Sequence, residues 1–98
     1  MHNSKNEYYQ SKDIVLRYDV YKDGDTIHPS SSIVKVYDPD KQFIGHARSK
    51  TVGSEVRCKL DGKKVEKVGK YTFIFDVTIR DLGDYTHIVK VDVKKLPI

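Results

Sequence analysis

Gly69-Lys70-Tyr71-Thr72-Phe73-Ile74-Phe75-Asp76-Val77-Thr78-Ile79 decides the fold. Tyr71, Phe73, Phe75, Val77 and Ile79 fall on one side of an extended chain, and Thr72, Ile74, Asp76 and Thr78 on the other. Strict alternation over this length is the signature of a strand with one buried face. Asp81-Leu82-Gly83-Asp84 then turns the chain. Residues 85–94 alternate again, with His87, Val89, Val91 and Val93 on one face. The pattern predicts a long C-terminal hairpin.

The same period appears upstream. Ile14, Leu16, Tyr18 and Val20 alternate with Val15, Arg17, Asp19 and Tyr21. Val56, Cys58 and Leu60 alternate with Glu55, Arg57 and Lys59. Shorter strands are expected over 32–37 and 42–48, the second with Phe43 and Ala47 on one face and Ile44 and His46 on the other. Residues 49–54 read as a loop around Gly53. Lys22-Asp23-Gly24-Asp25, Asp38-Pro39-Asp40-Lys41 and Asp61-Gly62 carry turn chemistry, because Gly takes positive φ, Pro fixes φ and Asp bonds its own backbone. No stretch holds a 3.6-residue period for three turns. The expectation is an all-β, immunoglobulin-like antiparallel sandwich of about seven strands, over 40% strand with almost no helix. Residues 12–98 form the one domain and residues 1–11 a flexible polar arm.

Composition narrows the function. The 98 residues carry 18 Lys plus Arg against 14 Asp plus Glu, a net charge of +4. No apolar run approaches the roughly 18 residues of a membrane-spanning helix, and the first residues lack the apolar centre of a secretion signal. A single cysteine, Cys58, excludes an internal disulfide and a Cys-rich zinc site. It alternates with Val56 and Leu60 and reads as a small buried hydrophobe. His2, His28, His46 and His87 show no ligand spacing among themselves, and neither a phosphate loop nor a nucleophile elbow occurs. No enzyme activity and no cofactor are expected. Asp23 with Asp25 and Asp38 with Asp40 are oxygen donors for a cation only if their turns meet at one pole; neither segment has an EF-hand spacing.

Gly69-Lys70-Tyr71 resembles the start of the penultimate strand in immunoglobulin-like sandwiches, where a tyrosine bonds back to upstream backbone. With Leu16-Arg17-Tyr18-Asp19-Val20-Tyr21-Lys22-Asp23-Gly24 and Val34-Lys35-Val36-Tyr37-Asp38-Pro39-Asp40-Lys41, the pattern over roughly residues 13–93 is similar to small immunoglobulin-like domains of tailed-phage virion proteins. The N-terminal domain of upper-baseplate proteins is the nearest of these. The resemblance implies a non-enzymatic assembly component of a phage particle, made in the host cytoplasm and then part of the virion. It implies self-association or a larger virion protein as partner, and structural roles for Gly69 and Tyr71.

Two sets of residues are candidates for contact. Ile74 and Ile88 fall on outward faces of the C-terminal hairpin, where Thr, Lys and Asp are usual. With Tyr8 and Tyr9 of the arm they make a candidate protein interface. Arg57, Lys59, Lys63, Lys64, Lys67 and Lys70 oppose only Asp61 and Glu66 within residues 57–70. They form either a basic hairpin that meets nucleic acid or a lysine-rich edge that resists aggregation.

Overall fold

The computed structural model describes residues 7–96, without the Lys22 side chain. Nine strands follow in order: β1 (Tyr8–Tyr9), β2 (Ile14–Asp19), β3 (Tyr21–Lys22), β4 (Asp25–Thr26), β5 (Ser31–Tyr37), β6 (Phe43–Val52), β7 (Glu55–Leu60), β8 (Gly69–Ile79) and β9 (Gly83–Lys94). A single 3-10 turn, Gly62–Lys64, is the only helical element among the described residues. Strands account for 64% of them, so the chain is all-β as its alternation predicts.

Seven strands form one sheet in the order β1-β9-β8-β5-β6-β7-β2, and β3-β4 make a separate small hairpin. The large sheet bends at β6. Residues 43–47 of β6 pair with β5, with one bulge, and residues 48–52 pair with β7. One layer is therefore β1-β9-β8-β5 with the first half of β6; the other is the second half of β6 with β7 and β2. Their inner faces make one core that includes Ile14, Val34, Val36, Val56, Leu60, Tyr71, Phe73 and Phe75, each at most 1% exposed. The free edge of β2 and the part of β9 that precedes its pairing with β1 approach without pairing to each other. The Tyr18 and His87 rings stack across the gap at 4.1 Å, and Leu16, Tyr8, Val89 and Val91 line the rest of the seam.

Four features differ from the sequence reading. Tyr8 and Tyr9, part of the segment expected as a flexible arm, form a strand parallel to Val93 and Lys94, and Gln10 and Ser11 bond the Lys94 and Val65 carbonyls; residues 1–6 of the arm lie outside the described residues. Tyr8 packs against the core, which is what holds the strand in place. Second, β6 continues to Val52 through the expected loop. Third, Phe43 does not share the inward face of Ala47. The ladder slips between Val36 and Tyr37, so that Val36 pairs with Gly45 but Tyr37 with Phe43. A one-residue bulge inverts every side chain beyond it, which leaves Phe43 half exposed beside Tyr37. Fourth, residues 57–70 are not a hairpin. β7 and β8 lie in different layers, and Val65, fully buried, pins the crossing to the core.

Candidate interaction site

Tyr71 and Gly69 anchor that crossing. The Tyr71 ring is fully buried. Its hydroxyl donates to the Lys67 carbonyl and accepts from the Lys67 N–H, each at 3.0 Å. Burial holds the phenol above its ordinary pKa. Gly69 has φ +137°, and a Cβ there would stand 2.8 Å from Pro39 Cβ. The Asp38–Gln42 turn is thereby pressed onto the start of β8.

The turn is locked by charge. Asp38 is 7% exposed; its carboxylate accepts from the N–H groups of Asp40 and Gln42 and from Lys67 Nζ. Lys67 Nζ also reaches Asp40 at 2.7 Å. The Gln42 N–H and then the Lys67 ammonium hold the Asp38 carboxyl below its ordinary 3.8, and Asp40 with Asp38 raises the Lys67 pKa. These acids therefore grip a lysine. Among the described residues no group of three or more His, Cys, Asp or Glu is placed to hold a metal ion.

This lock gives an acid limit to stability. Gln42 and Lys67 lower the folded pKa of Asp38, the Gly62 N–H lowers that of Asp13, and Arg57 lowers that of Glu55. Each carboxylate stabilises the fold in full above its unfolded pKa and loses that contribution as pH falls through the folded value. The melting temperature should therefore hold steady between pH 5 and 7 and fall as pH drops below about 4, the unfolded Asp value. Asp38→Asn should flatten part of that fall. An Asp38→Asn profile as steep as that of the parent would remove the lock from the account.

The six basic residues are dispersed. Arg57 and Lys59 stand on the outer face of β7, Lys63 and Lys64 in the 3-10 turn, and Lys67 against Asp38 and Asp40. Lys70 faces Asp92 at 4.0 Å across β8 and β9. Lys64 Nζ lies over Gly45, where a Cβ would approach it to 2.9 Å. Cys58 is 2% exposed, and burial pushes its thiol up to about 11, which leaves little thiolate for reaction.

The apolar candidates do converge. Ile74 of β8 and Ile88 of β9 are direct cross-strand partners on the outer face, with Ile88 55% exposed. The sequence reading missed their neighbours. Ile33 of β5, also 55% exposed, pairs with Asp76 one step along the same face. The bulge adds Phe43, whose ring meets Tyr37 at 5.5 Å and His46 at 5.4 Å. Only the slipped ladder could have revealed Phe43; Ile33 was readable as the outward partner of Val34. Polar groups cross this face in one line, where Lys35 Nζ reaches Asp76 at 3.7 Å and Thr86 donates to Asp76.

Tyr8 and Tyr9 do not join this patch. They pair with Val93 and Lys94, five and six residues along β9 from Ile88, which is roughly 17–20 Å at strand rise. Tyr8 faces inward, and the Tyr9 hydroxyl bonds Glu7. No protein family and no curated protein matches the chain.

Proposed function

We propose that the protein is a non-enzymatic assembly domain that works through protein–protein contact on the outer face of β5, β8 and β9. The observation that carries this reading is the cross-strand pair Ile74 and Ile88, with Ile33 and Tyr37 on its two diagonals around the Lys35–Asp76 ion pair and Phe43 beside Tyr37. Burying an isoleucine fully is worth about 1.5–3 kcal/mol, so Ile33 and Ile88, each about half exposed, leave much of that gain unused in the isolated chain. An aromatic cluster beside these aliphatic residues is the composition of an interface centre. The strand order supports an immunoglobulin-like sandwich: β9-β8-β5 in one layer and β7-β2 in the other follow the G-F-C and E-B pairings of that fold. The resemblance of residues 13–93 to small virion domains supports a phage particle as the setting.

The test is sedimentation velocity over a hundredfold concentration range. The parent should form a discrete dimer or ring, and Ile33→Lys with Ile88→Lys should remain a monomer. Both sites are exposed, so the variant's stability should stay within about 0.5 kcal/mol of the parent. Unaltered assembly by this variant, or a monomeric parent at every concentration, would overturn the reading.

A further inference from the structure

The opposite face of the molecule carries a different surface. On the outer side of β6, β7 and β2, register places Arg17, Arg57 and Lys50 side by side in one row, and Val15, Lys59 and Arg48 in the next. Neighbours within a row are about 4.8 Å apart along the hydrogen-bonding direction, and the rows about 6.7 Å apart. Five cations thus fall in two adjacent rows across three strands. Like charges directly opposite one another destabilise a sheet, and here three stand in line. Glu55 bonds Arg57, and Asp13 reaches Lys59 at 3.4 Å. Arg48 and Lys50 form no ion pair among the described residues, and Arg17 acts on the Glu55 carboxylate only through its charge, at longer range. Three of the chain's four arginines stand here. The next row, Asp19-Glu55-Val52, closes the cationic area on one side.

We propose that this face binds the phosphate backbone of a double-stranded nucleic acid. The guanidinium fork matches phosphate geometry, and Arg serves where planar two-point contact to an anion is wanted. No aromatic side chain stands in either row, so the face lacks the stacking platform of a single-strand binder. Val15, 51% exposed, is the one apolar group in the two rows, which is too little to anchor a protein partner. The surface is a strand face with a shallow concavity bounded by Val15, Arg48, Lys50, Arg57 and Lys59, and no helix or ribbon projects from it to enter a groove, so it contacts backbone and does not read sequence. The site lies across the molecule from the apolar patch, and neither surface requires the other.

The test is fluorescence anisotropy of the full chain with a 24-base-pair duplex between 25 and 200 mM NaCl. Three to five phosphate contacts give a slope of about 2.7–4.5 in log Kd against log salt. Arg17→Gln with Lys50→Gln should lower that slope by about 1.8, at two contacts of about 0.9 each. Lys63→Gln with Lys95→Gln, an equal change in net charge elsewhere, should leave it unchanged. Arg17→Lys should retain the slope that Arg17→Gln loses. Relief of like-charge contact should also keep the melting temperature of the Arg17→Gln, Lys50→Gln variant at or above that of the parent, so lost binding is not lost folding. Equal loss in the Lys63, Lys95 control would reduce the effect to net charge and overturn the proposal. Tighter binding to oligo-dT, polyglutamate or phosphatidylserine vesicles than to the duplex would overturn it as well.

Discussion

Phe75→Ala is expected to cost about 3–5 kcal/mol, the usual loss for emptying a buried phenylalanine site. Phe75 is fully buried in the middle of β8, and its ring meets Tyr18 of the opposing layer at 5.7 Å. Val34 is its register partner on β5. The side chain thus touches both layers where the open seam begins, and Tyr18 is the ring that stacks on His87. Removing it leaves a cavity and loosens the Tyr18 bridge together. For a domain of this size, 3 kcal/mol is a drop of at least about 12 °C in melting temperature. Against a total stability of about 5–15 kcal/mol, that loss is between about a fifth and all of what holds the fold. Calorimetry decides the matter: a fall under 5 °C would mean that the core closes over the site, or that the layers do not meet at Phe75.

Gly62→Ala should lower stability by about 2–6 kcal/mol, combining an overpacking term of about 1–3 with two lost hydrogen bonds of about 0.5–1.5 each. At a site with room, the same change would stabilise by about 0.4–1 kcal/mol through the unfolded chain, so the sign is diagnostic. Gly62 is buried, and a Cβ there would stand 2.5 Å from the Ser11 carbonyl oxygen. Backbone meets backbone, so no side chain can rotate away. The Gly62 N–H donates to Asp13 at 2.7 Å, and the Ser11 N–H donates to the Val65 carbonyl at 2.7 Å. Separating the segments breaks both contacts. Hydrogen exchange should quicken at Gln10 and Ser11 well before the β8–β9 amides. A stability gain, or unchanged exchange at Ser11, would show that the two segments are not in contact.

The C-terminal hairpin was fully legible, because each residue of β8 has one neighbour on either side and the core demands strict alternation. β2 and β7 were legible for the same reason. β6 was not, because its halves serve different layers. Ala47 faces the core, but beyond the bend Ser49 and Thr51 occupy inward positions near an edge, where small polar groups suffice. Ser49 exchanges hydrogen bonds with Ser32 there, which no hydrophobic pattern reports. Phe43 misled for a related reason: a bulge has no compositional mark apart from Gly45, whose φ is +120°. The basic residues were visible as a run, yet a run in sequence is not a patch in space. Arg57 and Lys59 belong with Arg17, Arg48 and Lys50, which lie in other segments, and only cross-strand register brings them together. Tyr8 was unreadable because two residues are too few to show a period.

The short parallel pairing of β1 with the end of β9 also fixes how the domain carries load. Tyr8 and Tyr9 lie beside Val93 and Lys94 and run the same way, and the Gln10 N–H donates to the Lys94 carbonyl at 2.9 Å. Tension that draws the two flanks of residues 7–96 apart acts along these strands. It shears their hydrogen bonds together and does not peel them open one at a time. The seam behind them closes through side chains alone, so this small clamp takes the pull before the core does. Once it yields, β9 remains zipped to β8 over eleven paired positions, from Gly69 with Val93 to Ile79 with Gly83. A pulled domain of this build lengthens first by release of its N-terminal segment, with both outer faces still intact.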